Sequence, residues 1–71
     1  MTVLNCKDIV RALKSLGFYE IGGRGDHMKF TNDDGITTVV PYRGSRQLAN
    51  GTISAICRQA GISKKVLLQH A

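Results

Sequence analysis

The chain has 71 residues, ten of them Lys or Arg and five Asp or Glu, which gives a formal net charge of +5. A chain of this length forms one domain with a small core, and its charge favours a polyanionic partner or, failing that, an acidic protein. No apolar run approaches the roughly 20 residues of a membrane helix and no signal-peptide pattern begins the chain, so we expect residues 1–71 to form a single cytoplasmic domain that does not associate with a membrane.

The first predicted element is an amphipathic helix from Asn5 or Cys6 to Leu16. Asn5 is a suitable N-cap, and the carboxylate of Asp8 lies where it can reach back to the free amides of the first turn. Gly17 follows at the position where glycine commonly ends a helix. The helix has an apolar stripe and an opposite basic stripe that is most simply solvated, formed respectively by Cys6, Ile9, Val10, Leu13 and Leu16 and by Lys7, Arg11 and Lys14.

A glycine-rich hairpin is predicted next. Residues 18–21 alternate weakly and contain Phe, Tyr and Ile, so they indicate a first strand. Residues 22–25 are interpreted as the turn, and about Asp26 to Thr31 as the second strand. The turn glycines primarily serve hairpin geometry.

A second turn and a third strand complete the predicted sheet. Residues 32–35, Asn-Asp-Asp-Gly, have strong turn chemistry. The β-branched run 36–40 predicts a strand, which Pro41 either ends or marks as an edge. The sequence does not decide which face of this strand is buried, because each face carries a Val and a Thr.

The remainder is predicted to contain a loop over residues 42–51 and two helices. Thr52 is the expected N-cap of the first, and Gly61 its terminator. Ser63 is the expected N-cap of the second, in which Val66 and Leu67 should pack inward and Leu68 is a further candidate. The apolar positions of the longer helix are Ile53, Ile56, Cys57 and Ala60.

These elements predict an α+β fold of order α-β-β-β-α-α. Two tight turns favour an antiparallel three-stranded meander, and the helices should cover one face of it and leave the other open. Cys6 and Cys57 fall in apolar patterns and are expected to be buried hydrophobic residues. The two cysteines and two histidines lack the spacing of a zinc site, so we predict neither a metal nor another cofactor.

The second strand carries the candidate site. Because successive strand residues point to opposite faces, Met28 and Phe30 should enter the core while His27 and Lys29 lie on the open face. Arg24 in the preceding glycine turn adds a third basic side chain. An imidazole, an ammonium and a guanidinium beside exposed backbone amides suit a phosphodiester.

The roles follow from this chemistry, although each residue also has an ordinary structural explanation. Histidine suits proton transfer near neutrality, so His27 is a candidate base for a ribose 2′-hydroxyl, although on pattern alone an exposed histidine is more often an ordinary surface residue. Lys29 would neutralise phosphate charge, or equally would protect a sheet edge. Candidate contacts to flanking phosphates are Arg24, Gly25, Arg43 and Arg46.

In order and spacing, several motifs of this chain resemble those of the HicA family of bacterial toxins, small ribonucleases paired with HicB antitoxins. The resemblance covers nearly the whole length. It rests on Leu16-Gly17-Phe18, on the Gly-x-His-x-x-Phe motif from Gly25 to Phe30, on Asp34-Gly35, on Val40-Pro41, and on Gly51-Thr52-Ile53 with Gln59-Ala60-Gly61-Ile62.

The resemblance implies a double-stranded-RNA-binding-like fold, cleavage of mRNA with His27 as the catalytic histidine, and inhibition by a HicB-like antitoxin. Family members commonly have Ser where this chain has Asp26. A carboxylate there would weaken phosphate binding or alter proton transfer at the histidine. Neighbouring strand residues point apart, so we expect Asp26 to be a solvated turn residue unless a bulge lies near Gly25.

The sequence therefore predicts a metal-independent RNA endonuclease that is the toxin of a toxin–antitoxin pair. No second histidine in the motif supplies a general acid, and water, Lys29 or a second subunit are the alternatives. Two other functions fit the same fold and charge: a non-catalytic RNA-binding module and a basic module that docks an acidic protein.

Overall fold

The computed structural model describes residues 4–41 and 47–71. Within them the element order is α-β-β-β-α-α, and the three strands form one antiparallel sheet in the order β1-β2-β3. The predicted α+β class and meander are therefore confirmed. The elements are α1 (Cys6–Ser15), β1 (Tyr19–Arg24), β2 (His27–Thr31), β3 (Thr37–Pro41), α2 (Asn50–Ala60) and α3 (Lys64–His70).

Both ends of α1 form as its sequence predicts. Asn5 and Asp8 make a reciprocal capping box: the Asp8 amide donates to Asn5 Oδ1 at 2.9 Å, and the Asn5 amide donates to Asp8 Oδ2 at 3.2 Å. At the other end Gly17 has φ of +96°, and the Phe18 amide donates to the Leu13 carbonyl at 2.9 Å. This reversal returns the chain toward the sheet and buries Phe18.

The helices cover one face of the sheet, where the core lies. Phe30 of β2 and Val40 of β3 are fully buried in the same apolar cluster as residues of all three helices. Thr38 shares that face of β3 and is 1% exposed, whereas Val39 is 38% exposed. The structure thus shows that the face of β3 with Thr38 and Val40 is the buried one, which the sequence did not decide.

Side chains from the helices fix β3 in place. The Thr38 hydroxyl donates to Gln59 Oε1 at 2.9 Å, and the same oxygen accepts from the Val39 amide at 3.3 Å. The Cys6 thiol donates to the Pro41 carbonyl at 3.2 Å. Gln59 therefore satisfies a buried hydroxyl and also occupies an amide of an edge strand, which would otherwise be free to pair with another chain.

The first hairpin differs from its prediction. β1 continues through Gly22 and Gly23 to Arg24, so the turn is the two residues Gly25 and Asp26 rather than residues 22–25. The register shifts between Glu20 and Gly22, which marks a β-bulge. Gly22 and Gly23 accommodate this irregular strand because they adopt φ of +133° and +152°, values that other residues rarely reach.

The start of α2 was also predicted wrongly. The helix begins at Asn50 after Ala49, whose side chain provides no cap, and Thr52 lies inside the first turn. Gly61 ends α2 with φ of +73°, and the Ser63 hydroxyl accepts from the Val66 amide at 3.1 Å, as predicted. In α3 Leu67 is fully buried but Leu68 is 42% exposed, so Leu68 is not a core residue.

Both cysteines are buried, and no disulfide joins them. Burial raises the pKa of the Cys57 thiol, and nearby Lys64 opposes this only in part. The prediction that the cysteines act as small hydrophobic residues is confirmed. None of the helices in the described ranges is both long enough and apolar enough to cross a membrane.

A matched pair of substitutions tests the position of the core. Ile56 is 1% exposed and Ile21 is 49% exposed. Ile56→Val removes one buried methylene and should lower the free energy of unfolding by about 0.5–1.5 kcal/mol. Ile21→Val should change it by less than about 0.5 kcal/mol. Urea denaturation of both variants measures this difference, and equal losses would contradict the assigned core.

Candidate nucleic-acid interface

The open face of β2 carries the residues singled out by sequence. His27 and Lys29 are exposed, Met28 is half-buried against the core, and Phe30 is fully buried. The predicted alternation of β2 is therefore confirmed. Consecutive residues of one face lie roughly 6.5–7 Å apart along a strand, a spacing of His27 and Lys29 that is suited to a phosphate group between them.

Arg24 lies closer to His27 than its prediction as a turn residue implied. It is the last residue of β1 and pairs directly with His27, the first residue of β2. Cross-strand partners project from the same face, with Cα atoms about 5.5 Å apart when they flank a two-residue turn. Arg24, His27 and Lys29 therefore form a group of three basic side chains at the hairpin end of the open face, hereafter the basic triplet.

Gly25 determines how tightly the hairpin closes. Its φ is +59°, whereas Asp26 does not have a positive φ. Glycine at the first central position with a positive φ is typical of a type II′ turn, whose twist matches that of the two strands. Gly25 is exposed beside the basic triplet, so its backbone is accessible to a ligand bound there.

Gly23 allows the backbone of β1 to pack closely against the backbone of His27 and Met28 in β2. A Cβ at position 23 would collide with the His27 carbonyl oxygen and would also lie 3.1 Å from Met28 Cα. A side chain at this position would therefore displace the start of β2. The sequence shows a glycine here, but only the pairing of Gly23 with Met28 shows what the glycine accommodates.

Asp26 is placed differently from its prediction. Its Oδ1 lies 3.3 Å from His27 Nδ1, and both side chains are about half exposed, at 54% and 56%. Asp26 is an exposed turn residue, as predicted, but the expectation that its side chain does not reach His27 is wrong. It assumed strand geometry for residue 26, but Asp26 is the second residue of the turn, where the alternation of side chains does not apply.

Exposed apolar side chains share the open face with the basic triplet. Val39 pairs with Lys29 across β2 and β3, and Tyr19 pairs with Thr31 across β1 and β2. Tyr19 is 48% exposed. The sequence could not distinguish Tyr19 from a core aromatic residue because β1 alternates only weakly, nor the exposed Val39 from Val40 because residues 37–40 are all β-branched.

Two predicted phosphate contacts, Arg43 and Arg46, lie outside the described residues. The predicted site is therefore brought together in part: Arg24, Gly25, His27 and Lys29 converge at one end of the sheet. Across the described segments, no three His, Cys, Asp or Glu side chains are grouped closely enough to hold a metal ion.

The fold and this face define a class: a small basic α+β protein with one sheet face covered by helices and the other open, carrying a histidine between two cations. The comparison with protein families agrees with this description. A family model described as the HicA toxin of bacterial toxin–antitoxin systems matches residues 6–62. The chain belongs to the HicA toxin family, which the sequence motifs had indicated.

Membership in this family makes the protein a toxin of the toxin–antitoxin type, a class that generally acts on mRNA and is paired with an antitoxin. None of the curated proteins matches the chain. The matched region contains the complete sheet and α2, so the basic triplet lies within it.

Two glycine substitutions test the close packing under His27. Gly23→Ala should lower the free energy of unfolding by about 2 kcal/mol or more, because it adds both a collision and backbone strain. Gly22→Ala has a strained φ too, but its Cβ would meet nothing within 4 Å, so its loss should be clearly smaller. Thermal unfolding of both variants measures the difference. Equal losses would show that backbone strain alone matters here.

Proposed function

We propose that the protein is a metal-independent RNA endonuclease and that His27 is its general base. The observation that carries this proposal is the exposed His27 imidazole on an ordered strand, directly opposite Arg24 and two residues from Lys29. A base held between two cations at an open surface is suited to a phosphodiester with a neighbouring hydroxyl. Since mRNA is the expected substrate, the protein would act in the cytoplasm.

The proposed reaction is an internal transfer at phosphorus. His27 takes the proton from a ribose 2′-hydroxyl, and the 2′-oxygen forms a bond to the adjacent phosphorus as the bond from phosphorus to the 5′-oxygen breaks. The products are a 2′,3′-cyclic phosphate and a 5′-hydroxyl. The departing oxygen takes a proton from water, because the site is open to solvent, and no metal ion is required at any step.

Lys29 and Arg24 would stabilise the negative charge that develops on the phosphate oxygens. Their positions on β2 and β1 would hold both cations beside the reacting group before the reaction begins, which is how electrostatic stabilisation lowers a barrier. The accessible backbone at Gly25, with Arg43 and Arg46, would contact neighbouring phosphates.

The substrate is proposed to be single-stranded RNA. An unpaired nucleotide can rotate its 2′-hydroxyl into line with the bond that breaks, whereas a paired one is held away from that geometry. The exposed ring of Tyr19, on the same face, is suited to stacking on an unpaired base.

The antitoxin is proposed to be a HicB-like protein that covers the open face. A free ribonuclease would damage the mRNA of its own cell, so the site must be blocked until it is needed. The basic triplet would pair with acidic side chains of the antitoxin, and exposed Val39 and Tyr19 supply apolar area on the same face. RNA and antitoxin would then exclude one another.

The catalytic role of His27 is tested against the second histidine of the chain. His27→Ala should reduce RNA cleavage, assayed with EDTA present, by about two to four orders of magnitude. The free energy of unfolding should change by less than about 0.5 kcal/mol, because the side chain is exposed. His70→Ala is the control, since His70 hydrogen-bonds Ser15 at 2.8 Å on the helical side.

Cleavage that persists in His27→Ala would refute the assignment, and loss of cleavage in both variants would indicate a general structural effect. Cleavage that disappears when EDTA is added would show that the reaction requires a metal. Normal RNA binding without cleavage in the unmodified protein would instead favour a non-catalytic RNA-binding module.

A salt titration distinguishes RNA from an acidic protein as the first target of the basic face. Phosphate contacts release counterions, so the affinity for a short single-stranded RNA should fall about 7-fold or more between 50 and 200 mM salt if two or more phosphates are contacted. The triple variant Arg24→Gln, His27→Gln, Lys29→Gln should have a shallower dependence. Equilibrium binding by fluorescence anisotropy measures both, and a flat response would favour a protein-docking module.

A further inference from the structure

We propose that Asp26 is a positioning residue for His27: it holds the imidazole proton on Nδ1 and thereby leaves Nε2 as the atom that accepts the proton of the 2′-hydroxyl. The proposal rests on the proposed function of His27. The observation behind it is the separation of 3.3 Å between Asp26 Oδ1 and His27 Nδ1.

The two-residue turn makes this contact possible. Within a regular strand, adjacent side chains project to opposite faces and cannot meet. Gly25 with φ of +59° closes the hairpin in two residues, so Asp26 precedes the first regular position of β2 and its carboxylate lies beside the imidazole. A longer turn would separate the two side chains.

The contact with Asp26 determines which ring nitrogen of the neutral His27 imidazole carries the proton. One ring nitrogen carries the proton and the other has the lone pair, and the partner of one nitrogen determines the state of the other. A carboxylate beside Nδ1 accepts from an N–H there, so the lone pair is left on Nε2. When Nε2 takes the proton of the 2′-hydroxyl, the ring becomes a cation and Asp26 stabilises it while remaining ionised.

The same carboxylate opposes the binding of RNA. Within the described residues, the charged side chains around His27 are Asp26 itself, Arg24 across the hairpin and Lys29 along β2, while Pro41 occupies the position opposite on β3. A negative charge among these cations weakens their attraction for phosphate. Asp26 should therefore accelerate the chemical step and weaken RNA binding, two effects that separate in kinetic measurements.

Asp26→Asn removes the charge but retains the size of the side chain, and Asp33→Asn is its matched control. Asp33 is an exposed carboxylate in the turn between β2 and β3, at the opposite end of the hairpin strand. Asp26→Asn should lower kcat by about 3- to 10-fold, a modest effect appropriate for a half-exposed pair, and should also lower KM for single-stranded RNA. Asp33→Asn should leave kcat unchanged.

The ¹⁵N chemical shifts of the His27 ring provide a readout that does not depend on activity. At alkaline pH, where imidazoles are neutral, the unmodified protein should show the proton mainly on Nδ1, and Asp26→Asn should shift the population toward Nε2–H. An unchanged tautomer population together with an unchanged kcat would overturn the proposal. A fall in kcat without a change in tautomer would also overturn it, because positioning would then not be the cause.

His27→Ala separates this inference from the function on which it rests. If His27→Ala abolishes cleavage and Asp26→Asn does not affect it, His27 is catalytic and only the positioning role fails. If cleavage survives in His27→Ala, the proposed function fails, whatever the tautomer measurement shows.

Discussion

The contrast between the two faces of β2 is the constraint on which the arrangement of the whole molecule depends. Helices seal the face that bears Phe30, and solvent reaches the face that bears His27 and Lys29. A shift of one residue in register would exchange the faces, burying two polar side chains and exposing the core. Gln59 and Cys6 hydrogen-bond β3 from the helical side and hold it in place. Because β2 pairs with β3, this also fixes the register of β2.

The features that the sequence predicted well are those encoded within a few residues. The capping box of Asn5 with Asp8, the glycine that ends α2 and the alternation of β2 each depend on local chemistry or a short period, so no distant contact is needed to recognise them. Face assignment succeeded in β2 because polar and apolar residues alternate there. It stayed open in β3 because Thr38 and Val39 both suit either environment until Gln59 and the helices are placed.

The features that were wrong or unseen depend on how segments meet. A run of glycines is compatible with a turn or with an irregular strand, and only the pairing of Gly23 with Met28 selects the strand. Because β1 extends to Arg24, the turn consists of Gly25 and Asp26, and this turn places the Asp26 carboxylate beside the His27 imidazole. In the same way Thr52 is a good N-cap in isolation, but the observed N-cap of α2 is Ala49, three residues earlier. One local misreading of the hairpin thus concealed the contact with the most direct bearing on the proposed chemistry.

The burial of both thiols shields them from oxidants in the surroundings. Cys6 is enclosed where α1 meets β3, and the Cys57 thiol is held protonated on the inner side of α2. An oxidant attacks the exposed thiolate, so neither sulfur is a ready target while the protein is folded. The side chains of the basic triplet contain no sulfur. They should therefore stay chemically unchanged under oxidative conditions that inactivate proteins with exposed cysteines.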